Sequence, residues 1–268
     1  MTLPSTIVIT GATDGLGKAL AGALSHRPGT RLILHGRKSE RLQQLRSELV
    51  GNAAETTVVR ADLAELAQVR QLVAEIGEIT GHVSVLVNNA GVSPTGERQE
   101  SADGHEMSFA VNYLAPFALT CGLLPLLHAG APARVVNVAS LNQTPVDLDD
   151  LDLACNYTRL RAYASSKFAL VSAGMTLAER LDPDVVTVNS VHPGTYMPTK
   201  MLDRPELSID TLESGVRSCL KLILDPELAG ISGRFFDRTT EKQAHPRAYE
   251  THQRNRLWSV SERLTRTP

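Results

Sequence analysis

Tyr163 and Lys167 stand four residues apart in a segment of helical period, so their side chains share one helix face. A phenol with a pKa near ~10 is a poor proton donor or acceptor at neutral pH. A neighbouring ammonium stabilises the phenolate and draws that pKa toward the working range. Ser140 follows directly on the apolar run 134–139. If that run is a strand of a parallel sheet, the hydroxyl stands at the carboxyl edge, where such sheets hold their ligands. There it can hydrogen-bond a carbonyl oxygen on which charge develops. Tyr and Lys at this spacing also describe an ordinary surface pair, and Ser140 at a strand end is what sharpens the chemical reading.

A second constellation could cradle phosphate. The run Thr10-Gly11-Ala12-Thr13-Asp14-Gly15-Leu16-Gly17 follows the first apolar run and opens the first helical segment. Its glycines let the backbone turn tightly and approach a pyrophosphate, with the next helix's amides aimed at it. The spacing is GxxxGxG, a variant of the dinucleotide fingerprint in the strand-to-helix context that fingerprint requires. An NAD site usually places an acid at the end of the second strand, roughly 20 residues beyond the glycines. Here Gly36, Arg37 and Lys38 occupy that place, with no carboxylate before Glu40. A small residue followed by two cations leaves room and charge for a 2′-phosphate, so NADP(H) is expected and NAD is the weaker fit.

These side chains need a frame. Apolar runs of strand length at 6–10, 31–35, 56–59, 83–87, 134–139, 185–191 and 233–236 alternate with stretches of helical period. The helices are expected near 15–26, 39–50, 64–78, 103–129 and 160–181, with Pro116 and Pro125 predicting kinks or breaks in the fourth. Strands apolar on both faces, each followed by a helix, mean a parallel sheet covered on both sides. Right-handed crossovers wind it doubly. The fold expected is one α/β domain with a seven-stranded parallel sheet.

Composition narrows the alternatives. The 268 residues are 42% apolar with a net charge of −2, enough to bury a core and too neutral to favour nucleic acid as a partner. No uninterrupted apolar run reaches about eighteen residues, and the start lacks a basic region followed by an apolar one. Neither a membrane span nor a secretory leader is expected. Cys121, Cys155 and Cys219 are far apart and form no CxxC pair, which points to a reducing cytoplasm without disulfides or a metal site. The polar tail 239–268, with Arg254, Arg256, Arg263 and Arg266, reads as a solvated helix lying on the domain rather than a partner-binding arm.

Taken together, TGATDGLG at 10–17, Asp62-Leu63, Asn88-Asn89-Ala90-Gly91, Asn112, Ser140, Tyr163 with Lys167, and Pro193-Gly194 resemble the short-chain dehydrogenase/reductase family, over roughly residues 5 to 238. The resemblance implies a single Rossmann-like NAD(P)-binding domain over 1–268, with 239–268 as a C-terminal helical extension. It implies that Tyr163 is the acid/base and that Ser140 orients the carbonyl. Lys167 would hold the nicotinamide ribose and lower the tyrosine pKa, while Asn112 would anchor a water in the proton relay. Asp62 and Leu63 would flank the adenine, and Asn89, Ala90 and Gly91 would support the cofactor. Pro193, Gly194 and Thr195 would cover the nicotinamide, with Thr199 at its carboxamide or phosphates. The helices near 103–129 and 160–181 would form a homodimer interface.

Ser140 and Tyr163 lie 23 positions apart, longer than the family's common spacing. The added segment, 141–152, resembles the subgroup of retinol dehydrogenases and protochlorophyllide reductases and is expected to wall the substrate pocket. Its four aspartates read as loop and cap residues rather than metal ligands. Tyr157 with Arg161 repeats the four-residue spacing, but an arginine cannot serve as a tunable proton-relay partner. His192 reads as structural, and His26, His35, His105 and His128 show no metal-ligand spacing. Cys155 has no neighbour that would lower its pKa. Ser140 and His192 lack the GxSxG setting of a hydrolase. The expected reaction is reduction of a ketone or aldehyde to an alcohol, with small-molecule substrates. The alternatives are an alcohol dehydrogenase, a C=C or imine reductase on the same site, or a non-enzymatic nucleotide sensor; the complete set Asn112, Ser140, Tyr163 and Lys167 weighs against the sensor.

Overall fold

In the computed structural model, residues 5–201 and 205–265 are described. The chain start 1–4 and Arg266 in the tail, both considered above, lie outside the described residues. β1 (Ser5–Ile9) is β-branched and buried at four of its five positions, too short for a helix and stopped at the glycine turn. It leads into α1 (Gly15–Ser25), then β2 (Thr30–Gly36), α2 (Ser39–Leu49), β3 (Glu55–Arg60), α3 (Leu66–Ile79) and β4 (Val85–Asn88). The next helix is α-helical at Met107–Phe109 (α4), makes a π turn at Ala110–Leu114, and continues as α5 (Ala115–Ala129). β5 (Ala133–Val138), α6 (Arg159–Arg180), β6 (Val186–His192), α7 (Leu212–Leu224), β7 (Phe235–Asp237), β8 (Thr240–Lys242) and α8 (Thr251–Thr265) complete the chain.

The sheet order is β3-β2-β1-β4-β5-β6-β7-β8. Pairing is parallel from β3 to β7, with Ile7 opposite Leu32 on one side and Val85 on the other. The order reverses at β1 and β4, which opens a crevice beyond the carboxyl ends of those strands. Leu16, Leu20 and Leu24 of α1, Leu45 of α2 and Leu222 of α7 pack on one face of the sheet. Val69, Leu72 and Ile76 of α3, Leu119 and Leu123 of α5, and Ala169 and Leu170 of α6 fill the other. This is the doubly wound α/β domain expected, with one correction. Among the described residues the sheet has eight strands, because β8 hairpins back antiparallel onto β7. Its residues Thr-Glu-Lys are all exposed, so no apolar run announces it.

The fourth helix also departs from expectation. It starts at Met107, and neither proline breaks it. Pro116 falls in the first turn of α5, directly behind the π turn, where the regular hydrogen-bond ladder is already interrupted. Pro125 lies inside α5 near its end, between the buried Leu123 and Leu127. Met107–Ala129 is long and apolar enough to cross a membrane by length and composition, with mean hydropathy 1.6, and most of it is buried inside the domain. Gly122 lets α3 approach: a Cβ there would lie 2.8 Å from Val73 Cγ2.

The tail is more deeply embedded than a solvated helix. α8 buries Arg254, Leu257, Trp258, Ser261 and Thr265 against α5 and α6. The Trp258 ring meets Phe117 edge-on at 4.7 Å and the Arg180 guanidinium covers it at 4.2 Å. Tyr113 and Ser261 share a 2.5 Å hydrogen bond. The faces expected to pair two copies are thus covered in part by this chain's own last helix.

Candidate active site

The glycine loop is shaped by positive φ at Gly11 (+65°) and Gly15 (+49°), where side chains are disfavoured. Asp14 caps α1, its side chain accepting the Gly15 N–H at 2.8 Å. Gly17 must lack a side chain, since a Cβ would lie 2.3 Å from the Gly11 carbonyl. Thr10 points inward: its hydroxyl donates to the Val87 carbonyl and accepts the N–H groups of Asn89 and Ala90 at 3.0 Å. Asn89 donates in turn to the carbonyls of Thr10 and Gly11. These residues brace the two loops of the crevice against each other, while Leu16 is packed in the core. His35, which shows no metal-ligand spacing in the sequence, also braces the loop. Its Nδ1 accepts the Gly11 N–H at 3.3 Å, Nε2 meets the Ala61 carbonyl at 3.0 Å, and burial lowers its pKa to about 4. No sequence signal beyond its place on β2 marks that role.

The loop is ready to hold a pyrophosphate: the first amides of a helix have no intrahelical partners and its dipole favours anions. At the end of β2, a Cβ on Gly36 would lie 2.5 Å from Thr13 Cγ2, so only glycine fits between the two loops. Arg37 is largely exposed with its guanidinium 3.8 Å from Asp62 Oδ2, and Lys38 is exposed beside it. Asp62 also accepts the Ala64 N–H at 3.0 Å, and Leu63 is buried. Arg37 and Lys38 thus stand beside the glycine loop, where Gly36 meets Thr13. Lys200 and Arg41 both reach Asp14, Arg41 at 3.0 Å, and a Cβ on Gly15 would lie 3.0 Å from Thr199 Cγ2. The segment around Thr199 therefore lies directly over the glycine loop, a contact that sequence spacing does not disclose.

The four candidate catalytic residues converge at the carboxyl ends of β4 and β5. Thr158 caps α6 by accepting the Arg161 N–H at 3.1 Å, which starts the helix one turn before Tyr163. Ser140 hydrogen-bonds Tyr163, and its Oγ accepts the Asn142 N–H at 3.1 Å. Lys167 is buried, donates to the Val138 carbonyl at 2.8 Å, and lies 5.8 Å from the Tyr163 ring centroid. Asn112, on the π turn, donates to the Val92 carbonyl and to Ser166 Oγ, each at 2.9 Å. Its Oδ1 accepts the Val92 N–H at 2.7 Å. Ser166 donates to the Tyr163 carbonyl at 2.7 Å, joining Asn112 to the turn that carries the phenol. Gly91 leaves space here, since a Cβ would sit 3.3 Å from Asn112 Oδ1 and 3.5 Å from Lys167 Nζ.

The proton affinities differ from the simplest expectation. Burial raises the Tyr163 pKa, and the Ser140 hydrogen bond offsets only part of that. Burial lowers the Lys167 ammonium to about 8. Desolvation dominates at both groups and moves the two pKa values apart, the phenol upward and the ammonium downward.

Around this cluster, Gln143 of segment 141–152 donates to the Ser140 carbonyl at 2.8 Å. Of the aspartates, Asp147, Asp150 and Asp152 accept backbone N–H groups, and Asp152 also pairs with His105 at 3.2 Å. Tyr157 is half-buried with no partner for its hydroxyl among the described residues. His192 Nε2 meets Thr195 Oγ1 at 3.0 Å, and Pro193 accepts from Ser218 Oγ at 3.0 Å. Cys155 is exposed, whereas burial pushes the thiols of Cys121 and Cys219 up to about 12.

Residues 5–207 match the family model described as short chain dehydrogenase. The chain is 34% identical over 284 aligned positions to human retinol dehydrogenase 13, covering 98% of this chain and 85% of that protein. Among solved structures, NADPH-bound carbonyl reductase from chicken fatty liver superposes with a TM-score of 0.71 at 22% identity, over 91% of this chain and all of that one. A short chain dehydrogenase from Burkholderia cenocepacia in complex with NADP gives a TM-score of 0.71 at 25% identity, over 88% of this chain and 97% of that one.

Proposed function

This chain belongs to the short-chain dehydrogenase family and is an NAD(P)-dependent oxidoreductase acting on CH–OH or C=O groups, and from that premise we propose that it reduces a ketone or aldehyde with NADPH, using Tyr163 as the proton donor. The observation that carries the reading is the convergence of Ser140, Tyr163, Lys167 and Asn112 at one end of the sheet, beside the glycine loop.

The glycine loop would hold the pyrophosphate, Arg37 and Lys38 the 2′-phosphate, and Lys167 the nicotinamide ribose. The bound dinucleotide supplies the hydride. Ser140 holds the substrate carbonyl oxygen by hydrogen bond, Tyr163 gives its proton to that oxygen as negative charge develops, and Asn112 holds the relay that restores the proton. NADPH over NADH is supported by the small-then-basic sequence after β2 and by the NADP named in the Burkholderia cenocepacia structure. We place the enzyme in the cytoplasm with a small carbonyl substrate. A homodimer through α5 and α6 would have to accommodate α8 on that face.

A panel of ketones, aldehydes and alcohols, assayed by nicotinamide absorbance with both cofactors, tests the reading. Carbonyl turnover with NADPH that Tyr163→Phe removes, with dinucleotide affinity retained, is the result expected. Undiminished turnover by that variant would overturn the role given to the phenol.

A further inference from the structure

The turn after β6 is tied to segments well beyond it along the chain. Asp210 Oδ2 accepts the Thr195 N–H at 2.7 Å, while the Asp210 N–H donates to the Thr195 carbonyl at 3.0 Å. One residue earlier, the Ile209 N–H donates to the Tyr196 carbonyl at 3.2 Å. These bonds clasp the two ends of the loop 196–209. Gly194 makes the clasp possible, because a Cβ there would come within 3.0 Å of Asp210 Cβ and 3.2 Å of Met197 Cγ.

Arg238 grips Asp210 from the edge hairpin. It stands at the turn between β7 and β8 with φ +56°, a conformation that favours glycine, yet the residue there is a long cation. Its N–H donates to the His192 carbonyl at 2.8 Å, so hairpin and strand end are joined through the backbone as well. The guanidinium reaches both carboxylate oxygens of Asp210, Nη2 to Oδ2 at 2.5 Å and Nε to Oδ1 at 3.3 Å. Nη1 donates to Asp237 Oδ1 at 2.8 Å, and Lys242 secures the other oxygen of Asp237 at 3.2 Å. Only a planar guanidinium can make this fork, and a lysine ammonium cannot. The pair also holds the Asp210 carboxyl below the usual carboxylate range, aided by the Thr195 N–H, so it stays a strong acceptor at neutral pH.

We propose that Arg238 is a positioning residue: acting through Asp210, it fixes the Thr195 peptide and thereby the 193–195 turn against which the nicotinamide is held. The inference rests on the nucleotide site proposed above. Arg238 touches no reacting atom. Its effect is transmitted by the two hydrogen bonds between Asp210 and Thr195.

Calorimetric titration of the purified chain with NADP⁺, alongside thermal unfolding and steady-state KM and kcat, tests it. Arg238→Ala is expected to weaken NADP⁺ binding about tenfold, the order of one charge-assisted contact, with Tm falling by less than about 4 °C. Asp210→Asn keeps an acceptor for the Thr195 N–H and is expected to lose about threefold. Arg238→Lys should recover little, because the fork is missing. Arg238→Ala binding NADP⁺ within twofold of a competent wild type overturns the proposal. So does a large drop in Tm with unchanged affinity in the folded protein, which would make the pair a structural staple only. Wild-type protein that binds neither NADP⁺ nor NAD⁺ overturns the nucleotide site itself, and this inference with it.

Discussion

Lys167 Nζ is hydrogen-bonded to the Val138 carbonyl at 2.8 Å, inside the domain and directly beneath the strand end that carries Ser140. Among the described residues a single backbone oxygen holds this ammonium, and burial lowers its pKa from 10.5 to about 8.

The unfolded chain then holds more protons than the folded one between those two pH values. The burial penalty is fully present below pH 8 and is relieved as pH rises toward 10.5. Wild-type protein should therefore gain stability relative to Lys167→Met across that window, read as the difference in urea midpoints. A difference that stays flat would show that the ammonium does not titrate there.

Tyr163→Phe is expected to lower kcat by about 10²–10⁴, the range of a lost general acid. Ser140→Ala removes the hydrogen bond that offsets the buried phenol's raised pKa and also the donor to the substrate oxygen. Its loss should be about 10²–10³ in kcat. Calorimetry with NADP⁺ checks that affinity is unchanged in both variants.

Arg37→Ser with Lys38→Ala should raise the KM for NADPH about tenfold or more while leaving that for NADH unchanged, since charge-assisted bonds to a phosphate are lost. Equal effects on both cofactors would remove the 2′-phosphate from the account. Gly36 is the wrong position for this test. Any Cβ there would press on Thr13 at 2.5 Å, confounding charge with displacement of the glycine loop.

Trp258→Ala should destabilise the protein by about 3 kcal/mol, as expected for a large buried aromatic. The ring is 5% exposed and packs on Phe117 and Arg180. Denaturant midpoints at fixed slope measure the change; a loss below about 1 kcal/mol would mean that α8 contributes little.

What was legible in the sequence follows from physics with a short range. The parallel core could be read because its strands are apolar on both faces and each is followed by a helical period. Strand β8 could not, because Thr240, Glu241 and Lys242 are exposed at the edge and carry no pattern. The buried side of α8 mixes Arg254, Ser261 and Thr265 with Leu257 and Trp258, so composition made it look solvated. The positions of the candidate site residues at strand and helix ends were local and readable. The pairings of Asp210 with Arg238 and Asp14 with Lys200 were not, because each joins segments far apart along the chain and no spacing rule connects them.

The π turn at Ala110–Leu114 inserts one surplus residue where Asn112 must reach both Val92 and Ser166. Deleting a residue from this stretch could restore an ordinary helix and improve its ladder. The same deletion would rotate everything before it by about a hundred degrees relative to α5 and swing the amide away from its two anchors. A sturdier but inert protein is the outcome to look for, with local regularity and turnover moving in opposite directions.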